Sequence, residues 1–355
     1  MKKGIFLILV ISFLFARWER LVSPVSRHLY SIHFPNDTLF GIAVGDSGTI
    51  IRTTNSGNSW QVLNSNTIQQ LRDIWMVNDT GYVCGAMGTI LKTTNRGLIW
   101  SSIGGFSFQT FYTICFPENS QVGYVFGANG EAYKTTNGGT NWEQMSLGTS
   151  NNIYACHFVN NNVGFIVGQN GTILRTENGG GIWEIVPTPT TEDLRSVWFV
   201  NEEIGYACGN NGVILKTIRS GREWINMSLS NPTILFGINF PNSADTGYIC
   251  GRNGLFGRTF DGRVWQTYTI KDTDLFAIHF PTNRVGFAVG RGGMILKTSD
   301  YGSEAIFEYN NNKIKASFEK SNYLIFTPLG EKVNKINKKG IYFLKEKNYK
   351  KIVIF

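Results

Sequence analysis

Proline is scarce in this chain, with nine in 355 residues, and histidine scarcer, with four. There is no C-x-x-C pair and no Cys/His spacing of the kind that holds a metal, so neither a metal centre nor a cofactor is expected. The longest apolar run, Ile5 to Phe15, has eleven residues, too few to span a bilayer. Most of the chain also lacks a charge of one sign. The net charge is +8, but eleven of the 33 Lys and Arg lie beyond Ser303, against five Glu, and two more are Lys2 and Lys3. Between Arg17 and Gly302, 20 basic residues face 20 acidic ones. A neutral body excludes a nucleic-acid footprint, which rests on clustered positive charge.

What is present is glycine, 40 residues, and aromatics at 14%, a composition suited to many short strands joined by tight turns. Lys2 and Lys3, the apolar run and Ala16 form a secretory leader, which assigns residues 1–16 to a signal peptide. The expectation is an exported protein, extracellular or at the cell surface with the periplasm as alternative, monomeric and without a transmembrane span after the leader. Of the five cysteines, Cys84, Cys208 and Cys250 each precede a Gly where other repeats have Val or Phe. A position open to Cys, Val and Phe is a buried strand position, so these read as buried thiols.

Self-similarity dominates the rest. The first Gly of a G-x-x-G turn recurs at 45, 85, 127, 168, 209, 251 and 290, spaced 39 to 42 residues apart. Each unit runs through an aromatic-rich strand such as "LRDIWMV", then "GYVCG", then "GTILKTT", then a turn and a strand opened by Trp. Four strands per unit predict an all-β, seven-bladed β-propeller over residues 17–302, closed into a ring without long exposed edges. Residues 303–355 are expected to form a short β-sandwich-like module.

The turns before each Trp share one chemistry. They place Asn55, Gly57 and Trp60; Asn95, Gly97 and Trp100; Asn137, Gly139 and Trp142; Asn178, Gly180 and Trp183 in the same frame, with Trp224 and Trp265 in looser copies. The Asn side chain ties down backbone N–H groups, Gly takes a positive φ, and Trp packs between sheets. The seventh turn holds Asp300 but no following Trp, whereas the Trp series extends backwards to Trp18. Trp18 therefore closes the ring by supplying the last blade's outer strand from the N-terminal side.

These turns resemble the Asp-box of the BNR-repeat family, with Asn in place of Asp in most copies. With the "GYxxG…GTILKTT" framework, the chain resembles the propellers of the photosystem II assembly and stability factor family. That resemblance implies a non-enzymatic factor docking onto a membrane complex. The last segment is similar to the C-terminal sorting domains of type IX-like secretion, on Leu329, Gly330 and Val333, then Gly340, Tyr342 and Phe343, then the basic strand Lys350 to Phe355. It implies secretion machinery as a partner.

Aligned at the start of each first strand are Tyr30, Arg72, Tyr112, Tyr154, Arg195, Phe236 and Phe276. Three residues on come His33, Trp75, Cys115, His157, Trp198, Asn239 and His279. Aromatics with two Arg at a channel mouth suit binding of a protein, a glycan or a chain terminus. The alternative is that they fill the taper between blades. Arg252 and Arg291, inside the G-x-x-G turns of adjacent blades, would add positive charge to that face. The three histidines are expected to be hydrogen-bonded locally. A sialidase-like glycoside hydrolase, the catalytic alternative, needs an arginine cluster and a Tyr–Glu pair that the sequence does not assemble.

Overall fold

A computed structural model describes residues 18–35, 37–270 and 273–299, with four tail strands, Leu324–Phe326, Lys332–Val333, Ile341–Glu346 and Tyr349–Ile354. The leader 1–16, Asp300, Leu329, Gly330 and Gly340 lie outside these residues. The chain divides into two units, Met1–Ile306 and Phe307–Phe355. The first is a seven-bladed propeller of four-stranded antiparallel sheets. In the second, the tail strands form one antiparallel sheet in the order Lys332–Val333, Leu324–Phe326, Ile341–Glu346, Tyr349–Ile354. Among the described residues there is no α-helix, and so none long and apolar enough to cross a membrane.

The repeat sequence maps onto the blade strand by strand. The inner strands, from Leu29–His33 in blade 1 to Leu275–His279 in blade 7, line the axis. The "GYxxG" strands come next and are buried along their whole length. They are sandwiched between blades, which is why they read as unbroken apolar runs rather than alternating ones. The outer strands, such as Ser101–Ser102, are short and exposed, a form that blunts edge pairing.

An aromatic layer joins blades at six of the seven interfaces, with Met76 and Ile42 taking its place between blades 1 and 2. Phe116, Phe158, Phe199, Phe240 and Phe280 each stack on the Tyr or Phe of the preceding blade's second strand, at 3.5 to 3.9 Å between ring centres. Phe34 does the same on Phe287, carrying the layer across the ring closure. The Trp of the Asp-box turn then meets this Phe edge-on, as Trp224 does on Phe199 at 89°. The Gly opening "GYxxG" follows from this layer. A Cβ on Gly123 would come within 2.3 Å of the Phe116 ring, and one on Gly205 within 2.6 Å of Phe199.

The Asp-box turns use Asn as the sequence suggests. The Asn178 side-chain oxygen accepts from the Thr176 hydroxyl at 3.0 Å and the Ile182 N–H at 2.8 Å, while Gly180, at φ +82°, donates to Thr176 Oγ1. Turns built on Asn55, Asn95 and Asn137 repeat this pattern. Blade 6 uses Asp261, whose carboxyl is held below its usual range mainly by the Val264 N–H.

Blade 7 completes its sheet with Glu19–Arg20, paired to Lys297 and Leu296. Trp18 donates from Nε1 to the Tyr268 hydroxyl at 2.8 Å and stacks on Phe256 at 4.2 Å. Lys297 reaches forward to the Ser56 carbonyl at 2.8 Å, so blade 7 is tied to blade 1 as well. Cys84, Cys115, Cys208 and Cys250 are buried free thiols, and Cys156 is half-buried. Burial pushes the four buried thiols well above the usual cysteine value.

Candidate functional site

The inner strands of all seven blades enclose an axial cavity of about 360 Å³. In every blade the first ladder pair joins the strand's opening residue to the first Gly of the G-x-x-G turn, as Leu71 to Gly85. The register then shifts by one residue, between Leu29 and Ser31, Leu71 and Asp73, and so on around the ring. The extra residue in each bulge is Tyr30, Arg72, Tyr112, Tyr154, Arg195, Phe236 or Phe276. A bulge re-aims a side chain, and these seven all face the cavity beside the G-x-x-G turns.

They touch in sequence around the mouth. Phe236 meets Phe276 at 5.3 Å, and Phe276 meets Tyr30 at 5.2 Å. The Arg72 guanidinium lies over Tyr30 at 4.7 Å and Tyr112 at 5.8 Å. Tyr112 meets Tyr154 edge-on, and Arg195 lies 4.3 Å over Tyr154. Blades 6 and 7 thus offer an apolar arc, and blades 1 to 5 an arc of aromatic and guanidinium groups.

The arginines are not equivalent. Arg195 pairs with Asp193 at 3.0 Å and donates to Asn210 at 3.2 Å. Arg291 is exposed and lies 3.8 Å from Asp274, a carboxylate that also accepts the Asn253 N–H at 2.9 Å. Arg252 is exposed on the same rim. Arg72 has no carboxylate within ion-pair distance among the described residues, and its Nε is buried without a hydrogen-bond partner. Beside it, Tyr30 donates to Asp46 at 3.0 Å, and Gln70 donates to both. Burial first, then the Asp46 bond, raises the Tyr30 phenol to about 12, so it stays protonated.

Asp73, one residue deeper, was not singled out by sequence. Its carboxylate accepts from Ser31 at 2.8 Å, Thr113 at 3.1 Å and the N–H groups of Ile74 and Ile114, joining blades 1, 2 and 3. Burial raises its carboxyl above the usual value. The available signal was its place in the repeat, where the other blades hold Ser31, Thr113, Ala155, Ser196, Gly237 and Ala277.

Deeper still, the histidine layer bridges blades. His33 accepts the Met76 N–H at 3.1 Å, His157 accepts the Phe199 N–H at 3.3 Å, and His279 bonds the Phe34 carbonyl at 3.1 Å. Asn239 accepts the Phe280 N–H in the same way. Ring closure brings His33 and His279, far apart in sequence, to 4.9 Å between ring centres. Burial keeps all three neutral, with His157 and His279 lowered to about 4 and His33 well below its usual value.

The sequence matches the family described as photosynthesis system II assembly factor YCF48 over residues 12–108 and 134–233. No curated protein matches it. Among solved structures, one described as YCF48 bound to D1 peptide aligns with TM-score 0.68 at 19% identity, covering 79% of this chain and 94% of that one. YCF48 from Cyanidioschyzon merolae aligns with TM-score 0.68 at 18% identity, over 80% and 99% of the two chains. An ancestral GH74 enzyme shares the fold at TM-score 0.65 and 15% identity, over 79% of this chain and 46% of that one. With the seven-fold repeat, the Asn-centred turns and the matched segments together, this chain belongs to the YCF48 photosystem II assembly factor family.

Proposed function

We propose that this propeller is a non-catalytic scaffold that holds a polypeptide segment at its channel mouth, with Arg72 meeting a carboxylate of the bound chain. The observation that carries this is the state of Arg72. Its guanidinium is fixed between two tyrosines with a buried, unpartnered Nε, while Arg195 and Arg291 each face a carboxylate of their own. A guanidinium held at the cavity without a carboxylate partner among the described residues is stabilised by an incoming anion, and its fork geometry suits a carboxylate. A relative of the same fold bound to a D1 peptide supports a polypeptide ligand. Docking onto a membrane complex is the setting the family description suggests. The basic leader and the sorting-like tail favour export to the envelope or cell surface as the place where it acts.

A glycan would use the aromatic arc by stacking but gives Arg72 no anion unless it is acidic. Catalysis on a sugar is disfavoured, since hydrolysis uses a pair of available carboxylates. Among the described residues, Asp73 in the cavity lining is committed to four hydrogen bonds, and the rim carboxylates Asp46 and Asp193 are engaged by Tyr30 with Gln70 and by Arg195. Affinity capture from the host's own envelope fraction tests the reading. The wild-type protein should retain a polypeptide that Arg72→Ala releases. Retention unchanged by Arg72→Ala combined with Arg195→Ala would place the site elsewhere, and turnover of a fluorogenic sugar would overturn the non-catalytic assignment.

A further inference from the structure

Three large apolar side chains stand in solvent on adjoining loops of the mouth face. Ile68 is 84% exposed, Phe108 83% and Met87 55%. Met87 lies in the blade 2 turn, whose Ala86 N–H donates to the Gln70 carbonyl and whose Gly88 N–H donates to the Gln109 carbonyl. It therefore sits between the segment carrying Ile68, which runs on to Arg72, and the segment carrying Phe108, which runs on to Tyr112.

Isolated exposed apolar residues need no explanation, but two facts set these apart. At the place of Ile68 and Phe108 the other five repeats hold Ser26, Ser150, Thr191, Pro232 and Asp272. Met87 has φ +53°, a left-handed backbone where four of the other six repeats use Asn, one uses Gly and one uses the small polar Ser47. An exposed methionine is unfavourable there in both backbone and solvation, and nothing in the blade's own packing calls for it.

We propose that Ile68, Met87 and Phe108 form the apolar half of the peptide site, so that the segment presenting a carboxylate to Arg72 lays apolar side chains across blades 2 and 3. This rests on the peptide reading above. The occupant is a polypeptide rather than a lipid surface. The same loops present amides, Asn64, Asn66, Gln69 and Gln109, which suit a peptide backbone, whereas an anionic bilayer is held by clustered Lys and Arg. The unpaired cation at the inner end of the patch complements an acidic group on the same segment.

The test uses fluorescein-labelled free-acid octapeptides in two pools, with Leu or with Ser at the four positions before the terminal residue, and anionic vesicles as a third probe. The full-length protein should prefer the Leu pool by tenfold or more in anisotropy titrations. The variant Ile68→Ser, Met87→Asn, Phe108→Ser should lose that preference while keeping the wild-type melting temperature, since it installs residue types that other repeats carry. Equal binding of both pools by the wild type would overturn the apolar half and leave the peptide reading standing. Binding of neither pool would overturn both. Vesicle binding lost in the triple variant, without peptide preference, would reassign the patch to a membrane surface.

Discussion

The Arg72 guanidinium carbon lies 4.7 Å from the centre of the Tyr30 ring, one blade away around the channel mouth. A stacked cation of this kind is fixed in place by its neighbours yet has no charge partner among the described residues, so its role separates from fold stability. Arg72→Ala should change unfolding free energy by only about 1–2 kcal/mol, the scale of two cation–π contacts at roughly 0.5–1 kcal/mol each. Ligand capture should nevertheless be abolished. Urea denaturation run beside the capture assay checks both halves, and a large stability loss would make Arg72 a packing residue.

Asp73 should behave in the opposite way. Its carboxylate collects four donors from blades 1, 2 and 3, and Asp73→Ala leaves them buried and unpaired. The expected loss is about 3 kcal/mol or more. Asp73→Asn should recover part of it, because the amide offers one acceptor oxygen in place of two. Chemical denaturation of the pair measures the difference.

The buried histidines give the fold an acid limit. Their folded values lie below the ordinary 6.5, with His157 and His279 at about 4, so the unfolded chain binds more protons than the folded one between about pH 6.5 and 4. Stability is therefore fully present above pH 6.5 and falls as pH drops through this window, by about 1.4 kcal/mol per pH unit for each histidine. His157→Asn copies the Asn239 solution of blade 6 and keeps an acceptor for the Phe199 N–H. It should flatten the slope by roughly a third, read from melting temperatures across that range.

The glycine under each interblade Phe is predicted to be irreplaceable. Gly205→Ala puts a methyl within 2.6 Å of the Phe199 ring, which is itself stacked on Phe165 at 3.5 Å and cannot retreat. A cost of about 2 kcal/mol or more is expected. Combining it with Phe199→Leu should return part of that cost, visible as a non-additive double-mutant cycle.

Ring closure is carried by few residues, so the N-terminal strand is a sensitive point. Trp18→Ala removes the Tyr268 hydrogen bond and the stack on Phe256, with an expected loss of about 3 kcal/mol. Hydrogen exchange should show the loosening first in Ile295–Thr298, the strand that Glu19–Arg20 covers.

The blade count and the closing role of Trp18 were legible because a 41-residue period and an unbroken Trp series are one-dimensional signals. The identity of the mouth ring was also legible, since repeat alignment puts Tyr30, Arg72 and their equivalents in one column. What aims them inward, a bulge at the same step of every inner strand, leaves no mark in residue type, because the extra residue is simply the next one along. Asp73 was visible only as a departure from small residues, with no hint of its four donors. The difference between Arg72 and Arg195 depends on Asp193 and Asn210 folding back onto one of them, which is a matter of loop conformation.

The most direct test is a photo-crosslink from the mouth itself. A photoreactive phenylalanine analogue at Tyr112, in full-length protein expressed in its own host, should trap a polypeptide identifiable by mass spectrometry. The same trap should be empty when Arg72→Ala is added, because the carboxylate anchor is gone. A crosslinked polypeptide that persists at wild-type yield without Arg72, or no polypeptide at all from Tyr112, would contradict a peptide site at the channel mouth.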